Sequence, residues 1–128
     1  MDTAEPKRRI LVVDDEIGIT RLLKLVIERS GPYEVRTEHT GLMALAAARE
    51  FKPDLILMDI LMPGMSGNEA AGEIRKDPDL QRIPLVFLTG AVRETYPGAA
   101  VQLDGHRCLV KPLDSAAVLN LLRTVLGT

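Results

Sequence analysis

The chain predicts an α/β fold, a doubly wound parallel sheet of five strands with helices on both faces. Two observations carry that expectation. Short apolar runs and amphipathic stretches alternate five times along 128 residues, which is the pattern of strand–helix crossovers in a parallel sheet. The clearest runs, Ile10-Leu11-Val12-Val13 and Leu55-Ile56-Leu57-Met58, contain no polar alternation. Such strands suit burial on both faces.

The elements follow in order. After the first run, Ile19, Leu22, Leu23 and Val26 keep the spacing of an amphipathic helix, which Gly31-Pro32 stops. Tyr33 to Thr37 alternates weakly as a second strand. Thr40 is placed to cap a helix through Ala46-Ala47-Ala48 that fades by Pro53. The third strand is the run at 55–58. Ser66 and Glu69 then stand at capping-box spacing ahead of Ala70 and Ile74. Ile83 to Leu88 makes a fourth strand. The next segment, AVRETYPGAAVQLDG, is the weakest predicted helix, because Pro97-Gly98 cuts its middle. Cys108-Leu109-Val110 is the fifth strand. A last helix carries Val118, Leu121, Leu122 and Val125 on one stripe, with Asp114 or Ser115 as its cap.

Composition narrows the function. With 46% hydrophobic and 27% charged residues, the chain suits one globular domain, read as residues 9–127 behind a tail at 1–8. A net charge of −2 does not suggest a nucleic-acid surface, and Lys7-Arg8-Arg9, the one basic run, reads as a solvated flank. The single Cys108 permits no internal disulfide and no cysteine cluster for zinc, so a reducing cytoplasm is the expected location. No apolar stretch approaches the roughly 20 residues of a membrane span, and the N-terminus lacks the apolar core of a secretion signal.

Ligands of open parallel sheets bind outside the carboxyl ends of the strands. Four of the five predicted strands end there in a polar residue: Asp14-Asp15, Asp59, Thr89 and Lys111. Singly, these are helix-capping acids, a turn aspartate, a capping threonine and a surface lysine. At one edge of one sheet they make a site. Carboxylates about 5 Å apart repel by about 3 kcal/mol per pair at an effective dielectric near 20. Lys111 or a hard divalent cation must therefore hold the three acids together. Oxygen-only ligands suit Mg²⁺ or Mn²⁺ better than zinc. A cation, a lysine and a threonine hydroxyl beside a carboxylate are the equipment for moving a phosphoryl group, and Asp59 is the natural nucleophile.

In VVDDE at 12–16, LMDILMPGMSG at 57–67, LTG at 88–90 and LVKPL at 109–113, the chain resembles the receiver domains of two-component response regulators. The spacings also match: 44 residues from Asp15 to Asp59, 30 more to Thr89 and 22 more to Lys111. The resemblance implies a flavodoxin-like fold with strand order 2-1-3-4-5. It implies that Asp59 accepts phosphate from a phosphohistidine of a sensor histidine kinase or phosphotransfer protein. It implies Mg²⁺ bound by Asp14, Asp15, Asp59 and the backbone carbonyl of Leu61. Thr89 and Lys111 would respond to the phosphoryl group, and a cis peptide would join Lys111 to Pro112. The expected protein is a switch rather than an enzyme, with only self-catalysed phosphotransfer and autodephosphorylation. Its downstream protein target is unnamed, with no nucleic acid or membrane as partner through this domain. No output domain is expected within this chain, which reads as either a single-domain regulator or part of a longer protein.

Two positions depart from the family pattern. Cys108 stands where an aromatic usually occupies the place three before the lysine, and Pro97-Gly98 interrupts the helix that usually forms half of the output face. Cys108 reads as a small core residue. His39 and His106 read as loop surface groups. A haloacid-dehalogenase-type hydrolase would need a second acid two residues after its nucleophile, where this chain has Leu61. A flavodoxin-type cofactor site would need a phosphate loop where this chain has Asp14-Asp15-Glu16, which repels phosphate.

Overall fold

The structure, a computed structural model, describes residues 6–90, 100–103, 106–111 and 113–127. In chain order the elements are β1 (Arg8–Val13), α1 (Ile17–Ser30), β2 (Tyr33–Glu38), α2 (Gly41–Phe51), β3 (Leu55–Asp59), α3 (Gly67–Lys76), β4 (Leu85–Thr89), β5 (Ala100–Leu103), β6 (His106–Val110) and α4 (Ser115–Leu126). The sheet order is β2-β1-β3-β4-β6-β5. Its five parallel strands reproduce the expected 2-1-3-4-5 order, with β6 as the fifth of them.

The sheet also carries an addition. Residues 100–103, expected to be helical, form β5, which runs antiparallel to β6 with Ala100 opposite Leu109 and Leu103 opposite His106. That corrects the helix expected over 91–105 at this part; residues 91–99 lie outside the described residues. The signal was in the sequence. Ala100 to Leu103 and His106 to Val110 flank Asp104-Gly105, the dipeptide that most favours a two-residue hairpin. The fifth parallel strand accordingly starts at His106, ahead of the expected Cys108.

Side chains alternate along the central strands and so build two cores. Leu11, Val13, Ile56, Met58, Phe87 and Cys108 pack with α2 and α3 on one face. Ile10, Val12, Leu55, Leu57, Leu88 and Leu109 pack with α1 and α4 on the other. That double burial is why the runs at 10–13 and 55–58 hold no polar residue. Cys108 is buried, as expected. The stripe of α1 is rotated from its expected line: Thr20, Leu23 and Ile27 face the core, while Leu22 is exposed.

The caps form as their sequences indicate. Thr40 accepts from Met43 N, Ser66 and Glu69 complete the capping box, and Asp114 accepts from Ala117 N at 2.7 Å. At Val35 the outer edge of β2 is also satisfied. Lys24 Nζ donates to Val35 O at 2.8 Å, Glu28 Oε2 accepts from Val35 N at 2.9 Å, and the two side chains pair with each other at 3.1 Å.

Candidate phosphoryl-transfer site

Strand register brings the sequence-predicted residues level. Val13 is paired with Met58, so the next residues, Asp14 and Asp59, leave adjacent strands at the same height. Asp59 pairs with Leu88 and Thr89 with Val110, which puts Thr89 one residue further along and Lys111 just past the end of β6. Lys111 N donates to Thr89 O at 2.7 Å and continues the ladder beyond the last strand pair.

Lys111 is the electrostatic centre. Its Nζ lies 2.8 Å from Asp14 Oδ2, 3.5 Å from Asp59 Oδ2 and 3.8 Å from Glu16 Oε1. Asp14, Asp59 and Thr89 are buried, whereas Asp15 and Glu16 are exposed at the mouth. Burial, and then the charge of Asp14, push the Asp59 carboxyl up to about 6, against the pull of Lys111. Burial pulls the Lys111 ammonium down, but Asp14, Asp59 and Glu16 outweigh it, and the net shift is upward. The lysine thus stays charged, and the two buried acids share one cation.

One cation is too few. Carboxylate oxygens of Asp14, Asp15 and Asp59 lie within 4.8 Å of one another, and buried Asp14 Oδ2 has no hydrogen-bond partner beyond its ion pair with Lys111. Three converging carboxylates with an under-used buried oxygen fit a hard divalent cation such as Mg²⁺. Asp14 Oδ1 is committed elsewhere, accepting from Glu16 N at 3.0 Å.

The Asp59 side is shaped by close backbone packing. Leu61 N approaches Asp59 Oδ1 at 3.4 Å, and Gly67 N donates to Ile60 O at 2.8 Å. A Cβ on Gly67 would collide with Asp59 O and lie 2.9 Å from Ile60 Cα. The start of α3 therefore rests directly on the backbone of Asp59 and Ile60. Gly64 turns the intervening loop at φ 78°, a conformation that favours glycine.

Asp14, Asp15, Asp59 and Lys111 converge here, and strand register sets Thr89 at the same edge. The Lys111–Pro112 peptide lies outside the described residues. Sequence reasoning missed one participant in the site and one contact outside it. Glu16 reaches Lys111, and the third acid of Asp14-Asp15-Glu16 was the available signal. Outside the site, His39, read as a loop surface group, is half-buried with Nε2 3.1 Å from the hydroxyl of Thr20. It fastens the first turns of α1 to the end of β2.

Comparison with known proteins agrees with this geometry. The family model described as the response regulator receiver domain matches residues 10–123. Protein PilH of Pseudomonas aeruginosa is 34% identical over 119 residues, covering 93% of this chain and 98% of PilH. The polar-differentiation response regulator DivK of Brucella anthropi is 34% identical over 122 residues, covering 95% and 98%. Among solved structures, the chemotaxis protein CheY4 of Vibrio cholerae superposes with a TM-score of 0.78 at 31% identity, covering 93% of this chain and 98% of CheY4. The receiver domain of sensor histidine kinase PA1611 from Pseudomonas aeruginosa gives 0.78 at 25% identity, covering 95% and 99%; that structure has a magnesium ion coordinated in its active-site cleft.

Proposed function

The chain belongs to the receiver domains of response regulators, the phosphoacceptors of two-component signalling, and on that premise we propose that Asp59 takes the phosphoryl group. The observation that carries this reading is its position. Asp59 ends the central strand β3 with Asp14 and Asp15 close by and Lys111 Nζ 3.5 Å away.

A carboxylate oxygen of Asp59 attacks the phosphorus of a phosphohistidine on a sensor histidine kinase or phosphotransfer protein. The P–N bond breaks, the imidazole leaves and takes up a proton, and an aspartyl phosphate remains. Asp14, Asp15, Asp59 and the backbone carbonyl of Leu61 would hold Mg²⁺ or Mn²⁺, which supplies countercharge to the phosphoryl oxygens. Lys111 supplies the second cation and moves from its carboxylates toward the phosphoryl group. Thr89, at the end of β4, donates its hydroxyl to another oxygen. The product is a signal rather than a metabolite, formed and lost by the domain's own chemistry in the cytoplasm and read by a target protein.

Incubation with acetyl phosphate and Mg²⁺ should add one phosphoryl mass to the protein. Asp59→Asn or EDTA should abolish the addition. Undiminished labelling of Asp59→Asn would reject the assignment.

A further inference from the structure

The helix α1 begins in an unusual way. Glu16 is its N-cap, in extended conformation at φ −89° and ψ 106°, yet its side chain makes no capping hydrogen bond. Caps favour Ser, Thr, Asp and Asn, whose short side chains reach back to the helix amides. The other helices α2, α3 and α4 follow that rule with Thr40, Ser66 and Asp114. At Glu16 the carboxylate instead sits 3.8 Å from Lys111 Nζ. A local preference is set aside where a charge meets the functional lysine, and such departures mark function more often than neglect.

The three acids around Lys111 are not equivalent. Asp14 and Asp59 are buried and belong to the cation cluster. Glu16 has a side chain 64% exposed and stands on the mouth side of the lysine. An arriving phosphoryl group must draw Lys111 away from its carboxylates, and the group's own negative charge meets that of Glu16.

We propose that Glu16 is a positioning residue that holds Lys111 toward the mouth of the site and competes with the phosphoryl group for it. The contact sets how readily the unmodified site accepts a phosphoryl group and how tightly it keeps one. This rests on the reading of Asp59 as acceptor and deepens it.

The test uses beryllofluoride, which occupies an acceptor aspartate as a phosphoryl mimic, and acetyl phosphate as the covalent donor. Two variants separate contact from charge. Glu16→Gln removes the charge. Glu16→Asp keeps it on a shorter arm that withdraws from Lys111 and caps α1 better. Beryllofluoride affinity at fixed Mg²⁺ should rise by about 3-fold in both variants, the size of effect that an exposed ion pair carries. The rate of phosphorylation by acetyl phosphate should rise by a similar factor. Affinity for Mg²⁺ alone should stay within about 2-fold of wild type, since Glu16 lies outside the cation cluster. Thermal unfolding of Glu16→Asp should show equal or higher stability, so its changed affinity cannot come from a damaged helix.

If Glu16→Gln gains and Glu16→Asp behaves as wild type, only the general field of the charge matters, and the contact is rejected. No change in either variant, or a tenfold loss of Mg²⁺ affinity, also overturns the proposal. Failure of wild type to take any phosphoryl mass from acetyl phosphate would instead reject the acceptor reading.

Discussion

Asp59 carries its charge at a cost. Its carboxyl is pushed up to about 6 from 3.8, so the native protein holds that proton more tightly than the unfolded chain does. The stability associated with the protonated acid is full below pH 3.8 and is lost as pH rises through about 6. In metal-free protein at pH 7.5, Asp59→Asn should therefore be more stable than wild type, by on the order of 1–3 kcal/mol. The gap should shrink toward pH 4.5 and close when Mg²⁺ is added. Denaturant melts in EDTA and in Mg²⁺ at both pH values measure it; an equal gap at both would show that Asp59 is not strained by its charge.

Leu61 bears on the lifetime of the modified state. Hydrolysis of an aspartyl phosphate needs a water in line with the phosphorus, and positioning that nucleophile is much of what a protein contributes. Leu61, two residues after Asp59, has an apolar side chain that cannot orient water, and so does Ala91, two after Thr89. Self-dephosphorylation should accordingly be slow. Leu61→Asn combined with Ala91→Glu should speed it by about 10-fold, or about 1.4 kcal/mol of barrier. Decay followed by intact mass at fixed Mg²⁺ checks this, and equal rates would place control of the water elsewhere.

At the scale of elements, the junction of β3 with α3 is where the fold most directly supports the chemistry. Gly67 lets the helix start lie against the Asp59 carbonyl. Gly67→Ala should cost about 2 kcal/mol or more, because backbone rather than a flexible side chain opposes the new methyl. It should also weaken Mg²⁺ binding by displacing Asp59. Urea unfolding and a Mg²⁺ titration test both parts; wild-type stability would mean that the junction can relax. The capping box beside it was readable from Ser66 and Glu69 alone, because capping depends on spacing within four residues. The need for glycine at 67 was not readable, since it comes from a contact between elements. The same distinction explains α1. Its existence follows from periodicity, but which flank of the apolar stripe turns inward is decided by packing, and Leu22 ended outside.

For the whole molecule, the site was more legible than the wiring that leads away from it. Asp14, Asp15, Asp59, Thr89 and Lys111 announce themselves because a parallel sheet gathers all its carboxyl ends at one edge. The pairing of β5 with β6 was not foreseen because Pro97-Gly98 reads as a break in a helix, although Asp104-Gly105 is a dipeptide that favours turns. That pairing matters for output. Phosphorylation of Asp59, as proposed, would add a charge of about −1.5 to −2 beside Thr89 and Lys111, felt elsewhere only by shifting a two-state element. Thr89 and Lys111 are linked through the backbone, and β6 connects them to β5. With Cys108 at the usual aromatic position, the response should centre on residues 91–104, of which β5 is the described part. Hydrogen exchange with and without beryllofluoride should change there. Changes confined to 59–67 would place the output at the acceptor loop.

The ion pair that covers β2 at Val35 has a consequence for how this protein behaves in a crowd. An open strand edge is a template on which other chains can lengthen the sheet. At Val35, Lys24 and Glu28 answer the backbone amide and carbonyl as a neighbouring strand would, so a passing peptide finds that rung already occupied. The guard is electrostatic and therefore conditional. Hydrogen bonds from Val35 and Lys24, together with the charges of Lys24 and Lys7, hold the Glu28 carboxyl below its ordinary value despite the opposing effect of burial. The rung therefore depends on that carboxyl keeping its charge.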